Sequence, residues 1–168
     1  MKKIFSLFLC IIFLTGCENF NNKDVKNEPL NFSGFTCTVE TINNNVKICA
    51  DVEYKIDGSV TISYLEPLNL NNIILTADDE VVTICQDNAV YTYPFSKAPT
   101  FIMSKTIKIC GDLSKNKIPI KENDDLVLQL YENENLYKLY LDNENKEFKK
   151  LVLDSGSEII FKNFEFLK

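Results

Sequence analysis

From Phe35 onward, apolar side chains recur at every second residue over several long stretches. A two-residue period turns one face of an extended chain to a core and the other to water, so the chain is built mainly of half-buried strands. Phe35, Cys37 and Val39 alternate with Thr36, Thr38 and Glu40. Val46, Ile48, Ala50, Val52, Tyr54 and Ile56 alternate with Lys47, Cys49, Asp51, Glu53 and Lys55. Val60, Ile62 and Tyr64 resume the apolar face after a turn at Asp57 and Gly58. A slip of one residue would expose a whole apolar set, so the pattern dictates register. It opposes Phe35 to Tyr54, Cys37 to Val52 and Val39 to Ala50. On the next pair it opposes Tyr54 to Ile62, Val52 to Tyr64 and Ile56 to Val60, with Gly58 available for φ > 0.

Further strands are predicted at 73–76, 81–85 and 89–93, separated by Asp78, Asp79 and Glu80 and by Asp87 and Asn88. Beyond Pro94 and Pro99 the period changes. Ile102, Thr106, Ile109 and Leu113 recur at helical steps, which predicts a helix over 100–113 with Gly111 near its end. The polar stretch 114–125, with Pro119, reads as a loop. In the last third, Leu126, Leu128 and Leu130 face Leu141, Leu139 and Tyr137 across a turn at Asn133 and Glu134. Strands at 148–153 and 158–166 follow, separated by Asp154, Ser155 and Gly156. The alternation changes phase within 148–153, where a bulge fits.

The amino terminus obeys other rules. Lys2 and Lys3 precede an uncharged apolar run over 4–14, too short for the roughly 20 residues a spanning helix needs. The pattern is that of a secretory signal. It ends in Leu14, Thr15, Gly16 and Cys17, which resembles the lipobox of bacterial lipoprotein precursors. That resemblance implies cleavage between Gly16 and Cys17 and a covalent diacylglycerol on the Cys17 thiol. Acyl chains such as palmitate, at about 0.8 kcal/mol per buried methylene, would then hold the protein on a membrane. Without Lys2 and Lys3 the side-chain charge falls from −6 to about −8. The polar stretch 18–32 lacks periodicity and reads as a solvated tether. Three segments result: a lipoprotein signal peptide (1–16), a lipidated Cys with a flexible tether (17–33) and one folded domain (34–168). The expected location is extracytoplasmic, anchored to the outer face of the cell membrane.

Composition removes several functions. The 168 residues include no His, no Trp and no Arg; all 18 basic residues are Lys, against 24 acidic ones. Without His there is no Ser–His or Cys–His catalytic pair and no imidazole metal ligand. An acidic chain without a basic block or a guanidinium fork is a poor nucleic-acid partner. No catalytic residues, metal ligands or further cofactors are expected. The carboxylates at Asp78, Asp79 and Glu80 and at Asp124 and Asp125 fall where turns are expected. The stretch 142–147 (DNENKE) lacks the Gly and terminal Glu of a calcium loop. Of the cysteines after Cys17, Cys37 lies on the apolar face and Cys49 on the polar face of neighbouring strands, so these two cannot pair. Buried, unpaired thiols are expected, with Cys49 to Cys85 or to Cys110 left open.

The order of features resembles a family. A lipobox and tether precede strands that reach Leu65, Glu66 and Pro67. A short hairpin pair then ends in YTYPFSKAP (91–99), an amphipathic helix follows, and the chain closes with YKLYLDNENKEFKKLVLDSGSEIIFKNFEF (137–166). Over 35–166 this pattern is similar to the LolA/LolB-like lipoprotein-localisation factors, in their small Gram-positive form. It departs from them in having no amphipathic helix before the first strand and no Arg. The resemblance implies a mainly β (α+β) fold: a strongly curved antiparallel sheet, or half-barrel, with one or two covering helices and an apolar hollow. Phe35, Val39, Val52, Tyr54, Ile62 and Tyr64 would floor that hollow. Leu128 and Leu139 would face them, and Phe101 and Ile102 would belong to a lid. The same aromatic face could equally fill an ordinary core. The expectations are thus a membrane-anchored envelope lipoprotein binding a lipid or other apolar ligand or, alternatively, a non-enzymatic module docking an envelope protein.

Overall fold

In the computed structural model, residues 28–43, 45–98 and 103–167 are described. Eleven strands form one antiparallel sheet: β1 (Gly34–Asn43), β2 (Val46–Tyr54), β3 (Val60–Glu66), β4 (Ile73–Ala77), β5 (Val81–Gln86), β6 (Ala89–Pro94), β7 (Ile120–Glu122), β8 (Asp125–Glu132), β9 (Asn135–Leu141), β10 (Phe148–Leu153) and β11 (Glu158–Leu167). Their order is β6-β5-β4-β3-β2-β1-β11-β10-β9-β8-β7, which does not close. Two meanders therefore meet at the β1–β11 pair. Helix α1 (Met103–Ser114) carries the chain from one edge of the sheet to the other.

That connection explains the curvature. Helix α1 touches β2, β3 and β4 and also β8. Along the sheet, β3 and β8 lie six strand spacings apart. At about 4.8 Å per strand that is about 29 Å on a flat sheet, whereas a helix is about 10–12 Å across. Both contacts exist only if the sheet curls around the helix as an open half-barrel. The expected fold class, a curved antiparallel sheet with a covering helix, is thus met.

Bulges supply part of the bend. Pairing with β9 shifts between Phe148 and Lys150, so Phe148 and Leu151, three apart, both face inward and are buried. Pairing with β1 shifts between Thr36 and Thr38, opposite Asn163 at φ 50°, and this turns both Phe161 and Phe164 inward. The first bulge was legible in the phase change. The second has no counterpart in the sequence reading.

Register follows the pattern on β1–β2, with Phe35 opposite Tyr54, Cys37 opposite Val52 and Val39 opposite Ala50. It also follows on β8–β9, where Asn133 and Glu134 turn with φ 48° and 68°. On β2–β3 the sequence register is corrected by two residues. Tyr54 faces Val60, Val52 faces Ile62 and Ala50 faces Tyr64. The turn is looser than expected and leaves Ile56 in solvent, 76 % exposed. Gly58 takes φ 82° and the Lys55 N–H donates to the Ser59 carbonyl. A shift of two preserves the face, so the apolar set stays inside.

Three further expectations change. The stretch read as a loop contains β7, which pairs with β8. The end of the presumed tether is not solvated: Leu30 is buried, and its N–H and carbonyl bond with Lys117 and Asn116 at 2.9 and 2.7 Å. Phe32 stacks its ring edges on Phe35, Tyr54 and Phe148. Finally, α1 is not half-buried. Enclosed by the curl, it buries Ser104, Lys105, Thr106 and Lys108 as well as Ile107, Ile109 and Cys110. Buried polar groups need partners. Lys105 Nζ donates to the Ala98 carbonyl at 2.8 Å and sits 5.0 Å from the Phe95 ring. Lys108 Nζ donates to Asp112 at 2.6 Å and to the Gly58 carbonyl at 3.0 Å, and pairs with Asp79 at 2.8 Å. Burial alone would depress its ammonium, but the hydrogen bonds to Asp112 and Asp79 outweigh that and the net shift is upward.

Gly111 serves close packing rather than helix termination. A Cβ there would overlap the Tyr54 ring. That ring cannot swing aside freely, because its hydroxyl donates to Asp112 at 2.5 Å. Gly111→Ala therefore lowers stability by about 1–3 kcal/mol, although Ala is the better helix former by about 1 kcal/mol. Urea unfolding checks this; a stabilised variant would contradict the close helix–strand contact.

Candidate ligand pocket at the open pole

The half-barrel is filled at one pole and open at the other. At the filled pole, Phe35 stacks on Tyr54 with centroids 5.1 Å apart and on Phe164 at 5.0 Å. Phe148 meets Phe35 at 5.1 Å and Phe164 at 4.8 Å, with Phe161 and Phe166 beside it. Edge and offset contacts of this kind add to the area buried. The Tyr54–Asp112–Lys108 bonds fasten the carboxyl half of α1 to this pole.

At the opposite pole the rings thin out. A pocket of about 390 Å³ remains there between the start of α1 and the curled sheet. Strand pairing builds its floor. Ile48 lies opposite Thr41, Thr41 opposite Ile159, and Leu153 opposite Tyr137. With Tyr64 on β3, these residues cross the sheet from β3 to β9 and line the pocket; Met103 and Thr106 of α1 cover it. Its rim carries Asn135, Asp154, Ser155 and Ser157, from two hairpin turns. Burial pushes the Tyr64 phenol up, and burial followed by Cys110 and Glu132 does the same for Tyr137, so both rings stay neutral. Eight of the fourteen lining residues are apolar or aromatic and six are polar, which suits a ligand with an apolar body and a polar end, and the volume lies in the range of small-molecule sites, about 300–1,000 Å³.

The sequence-predicted lining is brought onto one concave face, but only part of it is open. Tyr64 lines the pocket. Phe35, Val39, Val52, Tyr54, Ile62, Leu128 and Leu139 share its face yet are 0–3 % exposed within the packed core. The correction has a simple cause: α1 and the aromatic cluster occupy the space above them. Phe101 and Ile102, like Gly16 and Cys17, lie outside the described residues. Ile42, Ile48, Leu153 and Ile159 were missed as lining. Their strands were legible, but which pole stays open depends on where the bulges gather the Phe side chains.

The other constellations are turn chemistry and unpaired thiols, of which Cys37, Cys49 and Cys110 are buried and Cys85 is half-buried. Asp78 accepts the N–H groups of Glu80 and Val81 at 2.8 Å, and Asp142 accepts those of Glu144 and Asn145 at 2.8 and 3.3 Å. Those backbone bonds hold the Asp78 and Asp142 carboxyls below the usual carboxylate range. Cys37, Cys49, Cys85 and Cys110 are all unpaired. Cys37 is on the concave face and Cys49 faces outward opposite Glu40.

No family model matches the chain, and no curated protein matches it. Among solved structures, an uncharacterized conserved protein from Thermus thermophilus superposes with a TM-score of 0.50 at 10 % identity, over 81 % of this chain and 80 % of its own. That likeness shows a shared fold alone. A LolA superfamily protein from Nitrosomonas europaea aligns at a TM-score of 0.47 and 10 % identity, over 87 % of this chain and 91 % of its own.

Proposed function

We propose that this chain is a membrane-anchored envelope lipoprotein whose half-barrel holds an acyl chain or similar apolar ligand in the open-pole pocket. The observation that carries the reading is the pocket itself: a gap of about 390 Å³ whose lining includes Tyr64, Ile48, Ile159, Leu153 and Met103, at the pole opposite the aromatic cluster. Binding would be driven by apolar area removed from water, about 25 cal/mol per Å². The chain enters β1 at Gly34, which pairs with Leu167 at the filled pole. An anchor at Cys17 thus joins the fold at the pole away from the pocket mouth.

Ile48→Trp places an indole in the pocket. It is expected to weaken displacement of Nile red by a long-chain acyl compound by about tenfold or more, equivalent to about 1.4 kcal/mol, with the cooperative urea transition retained. Unchanged displacement would move the ligand elsewhere. The anchor is tested separately: Cys17→Ser should release the protein from membranes, and undiminished sedimentation with them would end that part of the reading.

A second reading, protein docking, is favoured by one observation at the sheet edge. Tyr91 and Tyr93 of β6 continue the concave rows of Ile84 and Val82, yet stand 58 % and 44 % exposed. A stoichiometric envelope protein captured from solubilised membranes without co-purifying lipid would support it. The outward polar face bearing Lys47, Asp51, Glu53 and Lys55 is instead occupied in part by ion pairs, Lys47–Glu40 at 3.1 Å and Lys55–Glu53 at 3.7 Å.

A further inference from the structure

We propose that the open-pole pocket selects a single-chain lipid with an uncharged, hydroxyl-bearing head, of the monoacylglycerol class, over one with an anionic head; the inference rests on reading the pocket as a lipid site. Its basis is the hydrogen-bond inventory of the rim. An anionic head needs free donors or a cation, and the rim has few of the first and none of the second. Among the described lining residues there is no Lys, and the single charged residue is Asp154.

The rim donors are largely spent inside the protein. The Thr41 hydroxyl donates to the Glu158 carbonyl at 2.6 Å. The Asn135 amide donates to the carbonyls of Glu132 and Asn133 at 3.4 and 3.2 Å. The Ser155 hydroxyl donates to Ser157 Oγ at 3.1 Å. Backbone groups of the same turn are also used: Gly156 N–H donates to the Leu153 carbonyl at 2.8 Å, and Ser157 N–H to Ser155 Oγ at 3.4 Å. No set of converging N–H groups remains to cradle an anion. What remains is the Asp154 carboxylate, the Asn135 carbonyl oxygen and the Thr41 oxygen lone pairs as acceptors, and as donors only the neutral hydroxyls of Ser157, Tyr64 and Tyr137.

Neighbouring charge points the same way. Lys47 borders the rim beside Thr41 and Ile42, but it pairs with Glu40 at 3.1 Å and Glu66 at 3.7 Å. A carboxylate or phosphate head would meet Asp154 and a net acidic chain. Asp154 is solvent-exposed, so screening weakens both its pull on an ammonium and its push on an anion; the short supply of N–H donors and cations, more than that one charge, disfavours an anionic head. The pocket volume of about 390 Å³, near the lower end for ligand sites, suits one chain rather than two.

Nile red displacement from the full-length protein tests this with three compounds of one chain length: a monoacylglycerol, the free fatty acid at pH 8, and its methyl ester. The monoacylglycerol is expected to displace the dye at a concentration about tenfold below either of the others, roughly the effect of one unmade hydrogen bond to a charged group. Asp154→Lys should bring the fatty acid level with the monoacylglycerol. A fatty acid or methyl ester that displaces as well as the monoacylglycerol from the unaltered protein overturns the head-group selection while leaving lipid binding intact. If none of the three displaces the dye, the lipid-site reading itself falls, and the selection with it.

Discussion

Phe148→Ala is expected to lower folding stability by about 3–5 kcal/mol, a large fraction of what a domain of this size has to lose. The ring is 2 % exposed and lies within 4.8 to 6.1 Å, centroid to centroid, of Phe32, Phe35, Phe161, Phe164 and Phe166. Those neighbours come from β1, β11 and the segment before β1; β1 and β11 are held by their mutual ladder, with Phe35 opposite Phe166 and Val39 opposite Phe161, so the backbone cannot close around the gap. The site also sits at the β10 bulge, which exists in this register to turn Phe148 inward. Urea unfolding should show a lower midpoint with an unchanged slope. Tyr131→Ala, at a side chain 64 % exposed on the outer face, should change stability by about 0.5 kcal/mol or less. Equal effects from the two variants would mean that the aromatic cluster does not close the filled pole.

A second large effect is expected from alkali. Burial pushes the Cys37 thiol up to about 12, with Asp51 adding to it. Burial, then Glu132, raises the fully enclosed Cys110 thiol. Burial followed by the hydrogen bond to Asp112 raises the Tyr54 phenol. In the unfolded chain thiols ionise near 8.5 and phenols near 10. Between those values and the raised native ones, the folded protein binds more protons than the unfolded chain, so stability falls as pH rises. Their contribution is complete below pH of about 8.5 and is lost above it, at up to about 1.4 kcal/mol per pH unit for each group. The raised Lys108 ammonium adds to this at still higher pH, because its ion pairs vanish when it deprotonates. Urea midpoints measured from pH 8 to 11 should drop steeply, and Cys37→Ala should make the drop shallower. A flat profile would show that these groups reach solvent in the native state.

Much of this architecture could be read from spacing because strand periodicity is a local property. The alternation around Val39 and Val52 aligned β1 with β2 without any structural knowledge. The break between Phe148 and Leu151 marked a bulge. Other features were hidden because they depend on what lies opposite. The bulge at Asn163 needs β1 as its partner. β7 is only three residues long and is defined by its bonds to β8, since Ile120, Lys121 and Glu122 carry no period. Leu30 and Phe32 sit in a polar stretch that looks solvated until β11 and α1 are in place. The pocket was harder still. Alternation identifies the concave face but does not say which part of that face the helix covers. Tyr64 and Tyr54 are equivalent in sequence pattern; Gly111 and Asp112 bring the helix down on Tyr54, whereas Tyr64 is left beside a gap.

Purification of the protein from the cells that make it, followed by native mass spectrometry and organic extraction of the non-covalent lipid, reads the occupancy of this gap. About one acyl-bearing molecule per chain is expected from the unaltered protein, and a large loss from Ile48→Trp. An unaltered protein with no extractable lipid, which also fails to bind any acyl compound added back to it, would mean that the gap is not a lipid site.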